Sequence, residues 1–541
     1  VSARRLVGLE TEYGVIRPGM PKANATVLSA QIVDGYAQLV RQGDAARRAA
    51  RWDYSDETPL RDARGYTISR EQAHPSQLTD VEPTVEETRV WDAESIALDG
   101  GDARIGRTLY QEAESTDVVM NMVLGNGARL YVDHAHPEYS SPEVTTPRDA
   151  VLYDQAGDEV VRLAAAHAAQ RGGGELLLYK NNTDNKSVSY GAHENYLVPR
   201  EIDFARLVEG LTPFFASRQI ICGAGRVGRG QLGGGADFQI SQRADFFEAE
   251  VGLETTINRP IINTRDEPHA NWEKYRRLHV IIGDANLGQV STLLRVGTTN
   301  LVLSLIEAGQ APDLELADPV GALQAISHDT SLRTAVRLRG GAQLSAIEIQ
   351  QRYLDAAEAY CTERGIIDEH TTEILTRWRE TLQVLATDPA KAARTVDWVA
   401  KQQLITGFAA RHGVGLDDPK VALMDLQWAD LRKDKGLYYR LAARGMMETL
   451  YSQDQIAAAV SEPPADTRAF LRGKVLQHYA DHVIAANWDA LSLSMPGARR
   501  VRRIPLPEPL RGTRAEVGQL FEAELEISQF LSELAKQHPV G

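Results

Sequence analysis

The run Asn126-Gly-Ala-Arg-Leu-Tyr-Val-Asp-His-Ala-His-Pro-Glu-Tyr-Ser-Ser-Pro-Glu143 sets an arginine, a phenol and a carboxylate at alternate positions. That alternation predicts a strand over 128–134 that turns Arg129, Tyr131 and Asp133 to one face and Leu130 and Val132 to the other. A cation, a hydrogen-bonding phenol and a carboxylate then share one surface. Residues 6–15 read as a second strand, with Glu10 and Glu12 on one face and Leu9, Thr11 and Tyr13 on the other. Glu10, Glu12, Glu138 and Glu143 together make an oxygen-rich cluster of the kind Mg²⁺ prefers, above all when nucleotide phosphates complete its shell. An ordinary salt-bridged sheet face is the competing reading of the same spacing.

Other patterns narrow the chemistry. His134 and His136 form an HxH, but no Cys or third His follows at structural-zinc spacing, so two loop histidines that position a turn are the better reading. Gly223-Ala-Gly-Arg-Val-Gly228 satisfies GxGxxG. The residues after it (Arg229, Gly230, Gln231, Leu232, then Gly233 to Gly235) cannot continue as the helix that would receive a pyrophosphate, and a flexible glycine-rich hairpin is expected instead. No P-loop, GxSxG or HExxH occurs. Three further polar strands are expected to extend the floor of a large site: one with Gly191, His193 and Asn195, one with Gln239, Ser241, Arg243 and Asp245, and one with Arg277 and His279. Trp488 reads as core or as a base-stacking residue, and Arg468 and Arg472 have no obvious partner.

The elements that must position these residues follow from periodicity. Helices are expected over 27–41, 149–170 and 201–211. From about residue 295 the pattern is overwhelmingly helical, including 432–450, 466–486 and 515–537. Strands between the early helices indicate an α+β chain with an extensive, mainly antiparallel sheet. Residues 42–118 turn polar and acidic, with Asp80, Glu82, Glu86, Glu87, Asp92, Glu94, Asp99 and Asp102, and read as a long, partly mobile insertion. A break near 425 divides a catalytic domain, 1–425, from a small C-terminal domain, 426–541.

With 541 residues, 43% hydrophobic content and a formal charge of −15, the chain fits a multi-element globular protein and argues against a nucleic-acid or anionic-membrane binder. Cys222 and Cys361 form neither a CxxC pair nor a disulfide framework, which suits a reducing cytosol. Nothing reads as a signal peptide or a membrane span, so a cytoplasmic protein is expected.

The combination of Gly8-Leu-Glu-Thr-Glu-Tyr-Gly14, the 126–143 run, Tyr190-Gly-Ala-His-Glu-Asn-Tyr196, Asn263-Thr-Arg-Asp-Glu-Pro-His269, Leu278-His-Val-Ile-Ile-Gly-Asp284 and Asp434-Lys-Gly-Leu-Tyr438 resembles the Pup ligase/depupylase family over nearly the whole chain. Within it the chain looks like the depupylase and Pup deamidase branch. The stretch from Arg51 to Gly65 lies in an insertion the ligases lack, and the Asp133-His-Ala-His136 spacing is one residue tighter than theirs. The insertion is longer than the family's across 75–115.

The resemblance implies a glutamine synthetase-like large domain, with a curved sheet flanked by helices, and a small helical C-terminal domain. It implies ATP (or ADP plus phosphate) with Mg²⁺, bound but not consumed stoichiometrically. Pup and pupylated proteins are the implied partners, with proteasome-linked components beside them. The implied activity is hydrolysis of the isopeptide bond between Pup and substrate lysines, and deamidation of the C-terminal Gln of Pup to Glu. Carried over residue by residue, Asp133 is the catalytic carboxylate. Glu10, Tyr131 and Glu138 look like Mg²⁺ ligands, and Arg129, Ser141 and Trp488 match nucleotide-contacting positions. His193 and His279 match contacts to metal or phosphate, His193 on the nucleotide side and His279 on the metal side. Splitting an amide needs a base or nucleophile and a cation opposite the oxyanion; Asp133 with Arg129 or bound Mg²⁺ would supply them. An ATP-consuming Pup ligase and a catalytically silent Pup-binding adaptor are the alternatives.

Overall fold

A computed structural model describes residues 3–20, 22–41, 50–55, 57–73, 77–78, 118–184, 188–366, 368–495 and 501–537. Among them the largest sheet has six strands: β1 (Val7–Glu12), β2 (Asn121–Val123), β3 (Arg129–Asp133), β4 (His136–Ser140), β5 (Ala192–Pro199) and β6 (Tyr275–Val280). Their order is β6-β5-β1-β4-β3-β2, with every neighbouring pair antiparallel. In β3 and β5 buried and partly exposed residues alternate, as a sheet with one covered face requires.

The covered face packs on helices. Tyr13, Leu130, Val132 and Tyr139 meet Ile32 and Val33 of helix Ala25–Arg41 and Val160, Val161 and Ala164 of helix Pro147–Ala168. Val7, Leu9, Tyr196 and Val280 join a larger core with helices Phe204–Cys222 and Gln289–Ala308. Charged groups enter this layer in pairs, as burial demands. Glu194 meets Arg218 at 2.7 Å, and Lys180 meets Asp154 at 2.7 Å. Thr11 donates to Asp154 and Tyr13 to Asp158, so the back of β1 is tied down directly beneath Glu10 and Glu12.

A third core gathers Phe470, Leu471, Val475, Leu491, Leu493, Phe521 and Phe530 with Ala50, Trp52 and Val123. Here the structure departs from the helical expectation. The helix expected over 466–486 is Ala469–His478 only. Val483–Ala486, Ala490–Ser494 and Val501–Pro505 are strands of a four-stranded sheet whose last member is Arg51–Trp52. Leu491 and Leu493 alternate with serines, a period of two that favours a strand. The helix expected over 515–537 is broken into Arg514–Glu522 and Ile527–Gln537, with Glu524 at φ 46° between them. In 432–450 the only helix is Leu437–Ala442.

The expected glycine hairpin is present. Arg226–Arg229 pairs antiparallel with Gly234–Gln239, and at Gly228 a Cβ would lie 2.1 Å from the Gly233 carbonyl oxygen. The polar strand expected through Gln239 to Asp245 is not: it ends at Gln239 and gives way to a 3₁₀ turn, Ala244–Phe246. Its polar residues hold loops together, Ser241 on Asp284 at 2.9 Å and Asp245 on His328 at 2.7 Å.

The insertion reads in the sequence as partly mobile, yet its first part is built into the body. Trp52, Leu60 and Asp62 are buried. Asp62 accepts from Thr264 Oγ1 at 2.6 Å and from Arg64, Ala63 N donates to Thr264 O, and Thr58 N donates to Glu267. Polarity did not prevent packing because 264–267 supply the partners. The acidic run from Asp80 to Asp102 lies outside the described residues. Cys222 and Cys361 are buried and unpaired, and among the described residues no helix is long and apolar enough to cross a membrane.

Candidate functional site

Antiparallel register puts directly opposed residues on the same face. Glu10 opposes His193 on β5 and Ser140 on β4. Glu12 opposes Glu138, which opposes Tyr131. Arg129 opposes Ser140, Asp133 opposes His136, and His279 opposes Asn195. The uncovered face of the sheet is therefore a continuous floor of acids, imidazoles and hydroxyls.

On this floor the ligand atoms of Glu12, Asp133 and Glu138 lie within 4.8 Å of one another, and those of Glu10, His193 and His279 do the same. Glu10 and Glu138, expected to share one ion, thus fall in two adjacent clusters, and His193 stands with Glu10 and His279. Burial beside Asp133, Glu10 and Glu12 pushes the Glu138 carboxyl well above its usual range. Burial also acts on Glu10, but the hydrogen bond from His193 and the charges of His279, His193 and Arg277 outweigh it and hold Glu10 ionised. Three crowded carboxylates are the donor set a hard divalent cation takes, so the residues present fit Mg²⁺. Tyr131 lies beside this cluster with its hydroxyl donating to Glu138 at 2.6 Å, and burial keeps the phenol protonated.

Asp133 has a side chain 28% exposed, open to an incoming group. Burial would raise it, but the charge and hydrogen bond of His134 hold it at about 2. His134 sits at φ 52° with Nδ1 3.0 Å from Asp133, and that carboxylate lifts it to about 9. His136 instead lies 3.3 Å from Glu12 and stacks on Tyr190. The two histidines therefore serve different carboxylates. Gly191 allows this crowding, since a Cβ there would meet His193 at 2.4 Å and Glu12 at 2.6 Å.

Arg129 and Asp133 share a face but are not brought together, because four residues of strand separate them by about 13 Å. The Arg129 guanidinium lies between the rings of Trp52 and Tyr131, 3.8 Å from each centroid, and donates to Asn121. Besides the His134 imidazolium, a cation whose charge bears on Asp133 is Arg265, which no spacing argument singled out. It is 9% exposed, its charge bears on Asp133 and Glu10, and its Nε and one terminal nitrogen have no hydrogen-bond partner. No helix or sheet period could have found it, because it lies in the connection after the strand Arg259–Asn263.

Beside the floor opens a cleft lined by Glu10, Ser141, Asn195, His269, Arg277 and Trp488 among others. The Ser141 hydroxyl is engaged by the backbone, accepting from Leu9 N at 2.9 Å and donating to Pro142 O. Trp488 is half-buried at the edge of the third core, its ring edge-on to Trp52 at 5.3 Å and 5.1 Å from the Arg472 guanidinium. Glu143 does not join the carboxylate cluster. It pairs with Arg468 at 2.7 Å and with Arg472, whose charges hold it at about 2 against burial, so it is the partner those arginines lacked in the sequence.

The model of the Pup-ligase protein family matches residues 5–492. A depupylase from Acidothermus cellulolyticus is 50% identical over 522 residues, 96% of each chain, and a Pup deamidase/depupylase from Mycolicibacterium smegmatis is 46% identical over 96% of this chain and 97% of its own. A Pup–protein ligase from Nakamurella multipartita is 42% identical over 77% of this chain and 94% of its own. Two solved structures share the fold. The complex of the prokaryotic ubiquitin-like protein Pup with its ligase PafA has a TM-score of 0.75 at 29% identity, covering 99% of this chain and 95% of that one. The Pup ligase PafA with ADP has a TM-score of 0.69 at 33% identity, covering 84% and 99%.

Proposed function

The chain belongs to the Pup-ligase protein family, and we infer that within it this protein is a depupylase and Pup deamidase, a hydrolase of amide and isopeptide bonds whose partners are Pup and Pup-modified proteins. The depupylases match along 96% of the chain and the ligase along 77%, which favours hydrolysis over ligation.

The observation that carries the chemistry is Asp133. It is ionised, reachable, and set among acids and imidazoles at the end of a strand. We assign it the attack on the amide carbonyl, made directly or by taking a proton from water. Arg265, with unpartnered nitrogens nearby, is placed to face the developing oxyanion, the part expected of Arg129. In either route the C–N bond then breaks, the departing amine or ammonia gaining a proton that the His134 imidazolium beside Asp133 can give. After direct attack, water must add to the Asp133–acyl anhydride to release the acid and return the carboxylate.

ADP in one solved relative supports a nucleotide site in this chain. We place ATP in the cleft with its base towards Trp488 and its phosphates towards Arg277 and towards His193, which bonds the cleft residue Glu10. Mg²⁺ would be held at the two adjacent clusters, by Glu12 and Glu138 with Tyr131 beside them in one and by Glu10 and His279 in the other. When bound, Mg²⁺ neutralises phosphate charge and polarises oxygens at the site. Two unpaired cysteines support a location in the reducing cytoplasm.

The test is incubation with Gln-ended Pup and ATP, followed by intact-mass analysis. Conversion of the terminal amide to an acid, and release of Pup from a pupylated protein, are expected. Conjugation with stoichiometric ADP release would establish the ligase reading instead.

A further inference from the structure

We propose that Asn195 is a positioning residue that fixes the tautomer of His279 and the orientation of Glu10 through one amide group. The inference rests on reading the sheet face as a cation and nucleotide site. Asn195 stands on β5 between two of the residues grouped there. Its Nδ2 lies 2.8 Å from Glu10 Oε1, and its Oδ1 lies 3.0 Å from an Arg277 terminal nitrogen and 2.9 Å from His279 Nδ1.

The two ends of an amide look alike, so its orientation follows from its partners. A guanidinium can only donate, which makes the end facing Arg277 the oxygen. A carboxylate can only accept, which makes the end facing Glu10 the nitrogen. Both demands agree. With the oxygen turned to His279, that contact is a hydrogen bond only if Nδ1 carries the hydrogen. In the neutral ring this leaves Nε2 as the one lone pair available to a ligand. Glu10 is held at both oxygens, Oε1 by Asn195 and Oε2 by His193 Nδ1 at 3.2 Å. One side chain thus sets which imidazole atom and which carboxylate edge the Glu10, His193 and His279 cluster offers.

The test uses the full chain labelled with ¹⁵N-histidine, the His279 signal being assigned through His279→Gln. In the metal-free protein the ring shifts should report the Nδ1-protonated tautomer. Asn195→Leu, which can neither donate nor accept, should give a mixture of tautomers and weaken Mn²⁺ binding in the presence of ADP, read by electron paramagnetic resonance, by about 10- to 100-fold. Asn195→Asp keeps the acceptor and should keep the tautomer. An Nε2-protonated His279 in the unmodified protein, or Mn²⁺ affinity unchanged in a folded Asn195→Leu variant, overturns the proposal. If the unmodified protein binds no Mn²⁺, the cation-site reading fails, and the metal-free tautomer still decides for or against Asn195.

Discussion

The guanidinium of Arg129 lies 3.8 Å from the ring of Trp52, so a residue of the inserted segment covers a cation of the sheet. The same indole touches Trp488 and donates from Nε1 to Glu57. Trp52→Leu should cost about 1–3 kcal/mol in stability, from lost burial and cation–π attraction, and should raise the KM for ATP. Trp52→Phe should recover part of both. Thermal unfolding and nucleotide titration check this, and an unchanged KM in the Leu variant would separate the insertion from the nucleotide site.

Asp133→Asn keeps the shape of the side chain and removes its basicity and nucleophilicity. Deamidation and depupylation should both fall by at least about 100-fold, with Pup and nucleotide still bound. Near-normal turnover would end the catalytic assignment.

Glu10→Gln and Glu138→Gln each replace an acidic donor with a neutral amide. Mg²⁺-nucleotide affinity should drop roughly tenfold, about 1.4 kcal/mol, and excess Mg²⁺ should restore part of the activity. Unchanged affinity in both variants would make these carboxylates structural.

Glu57 gives a pH signature. Burial, with Glu267 nearby, raises its carboxyl to about 7 from an ordinary 4.5. Between those values the folded chain holds a proton that the unfolded chain has released, so stability falls as pH rises from 4.5 to 7 and is level above. Glu57→Gln still accepts from Trp52 but carries no charge, so its melting advantage over the unmodified protein should grow across that window and then hold. An advantage independent of pH would refute the shift.

What was legible in the sequence was whatever obeys a period. The alternation of Arg129, Leu130, Tyr131, Val132 and Asp133 is what the pleat displays, and Glu10 and Glu12 share the face that carries the site for the same reason. The GxGxxG was correctly read as a hairpin because so many glycines cannot sustain a helix. Long-range pairing was not legible. Glu143 follows Glu138 closely in the chain, but its partners Arg468 and Arg472 lie more than three hundred residues on. Arg265 sits in a connection between strands, where no helix or sheet period marks a side chain. That residues 51–65 pack was not legible either, because the groups that satisfy them, Thr264 and Glu267, are two hundred residues away.

The pairing of Arg51–Trp52 with Val483–Ala486 closes the third core between segments far apart in the chain, with Asn487 bonded to Asp53 at a separation of 434 residues. During synthesis Trp52 emerges long before the strand that receives it. Contacts so distant in sequence form late and slowly, and an unsatisfied edge and indole stay exposed meanwhile. Refolding from denaturant should therefore show the Trp52 and Trp488 environment as the last to recover. A chain cut before Val483 should carry an exposed aromatic surface prone to association, however well its six-stranded sheet has formed.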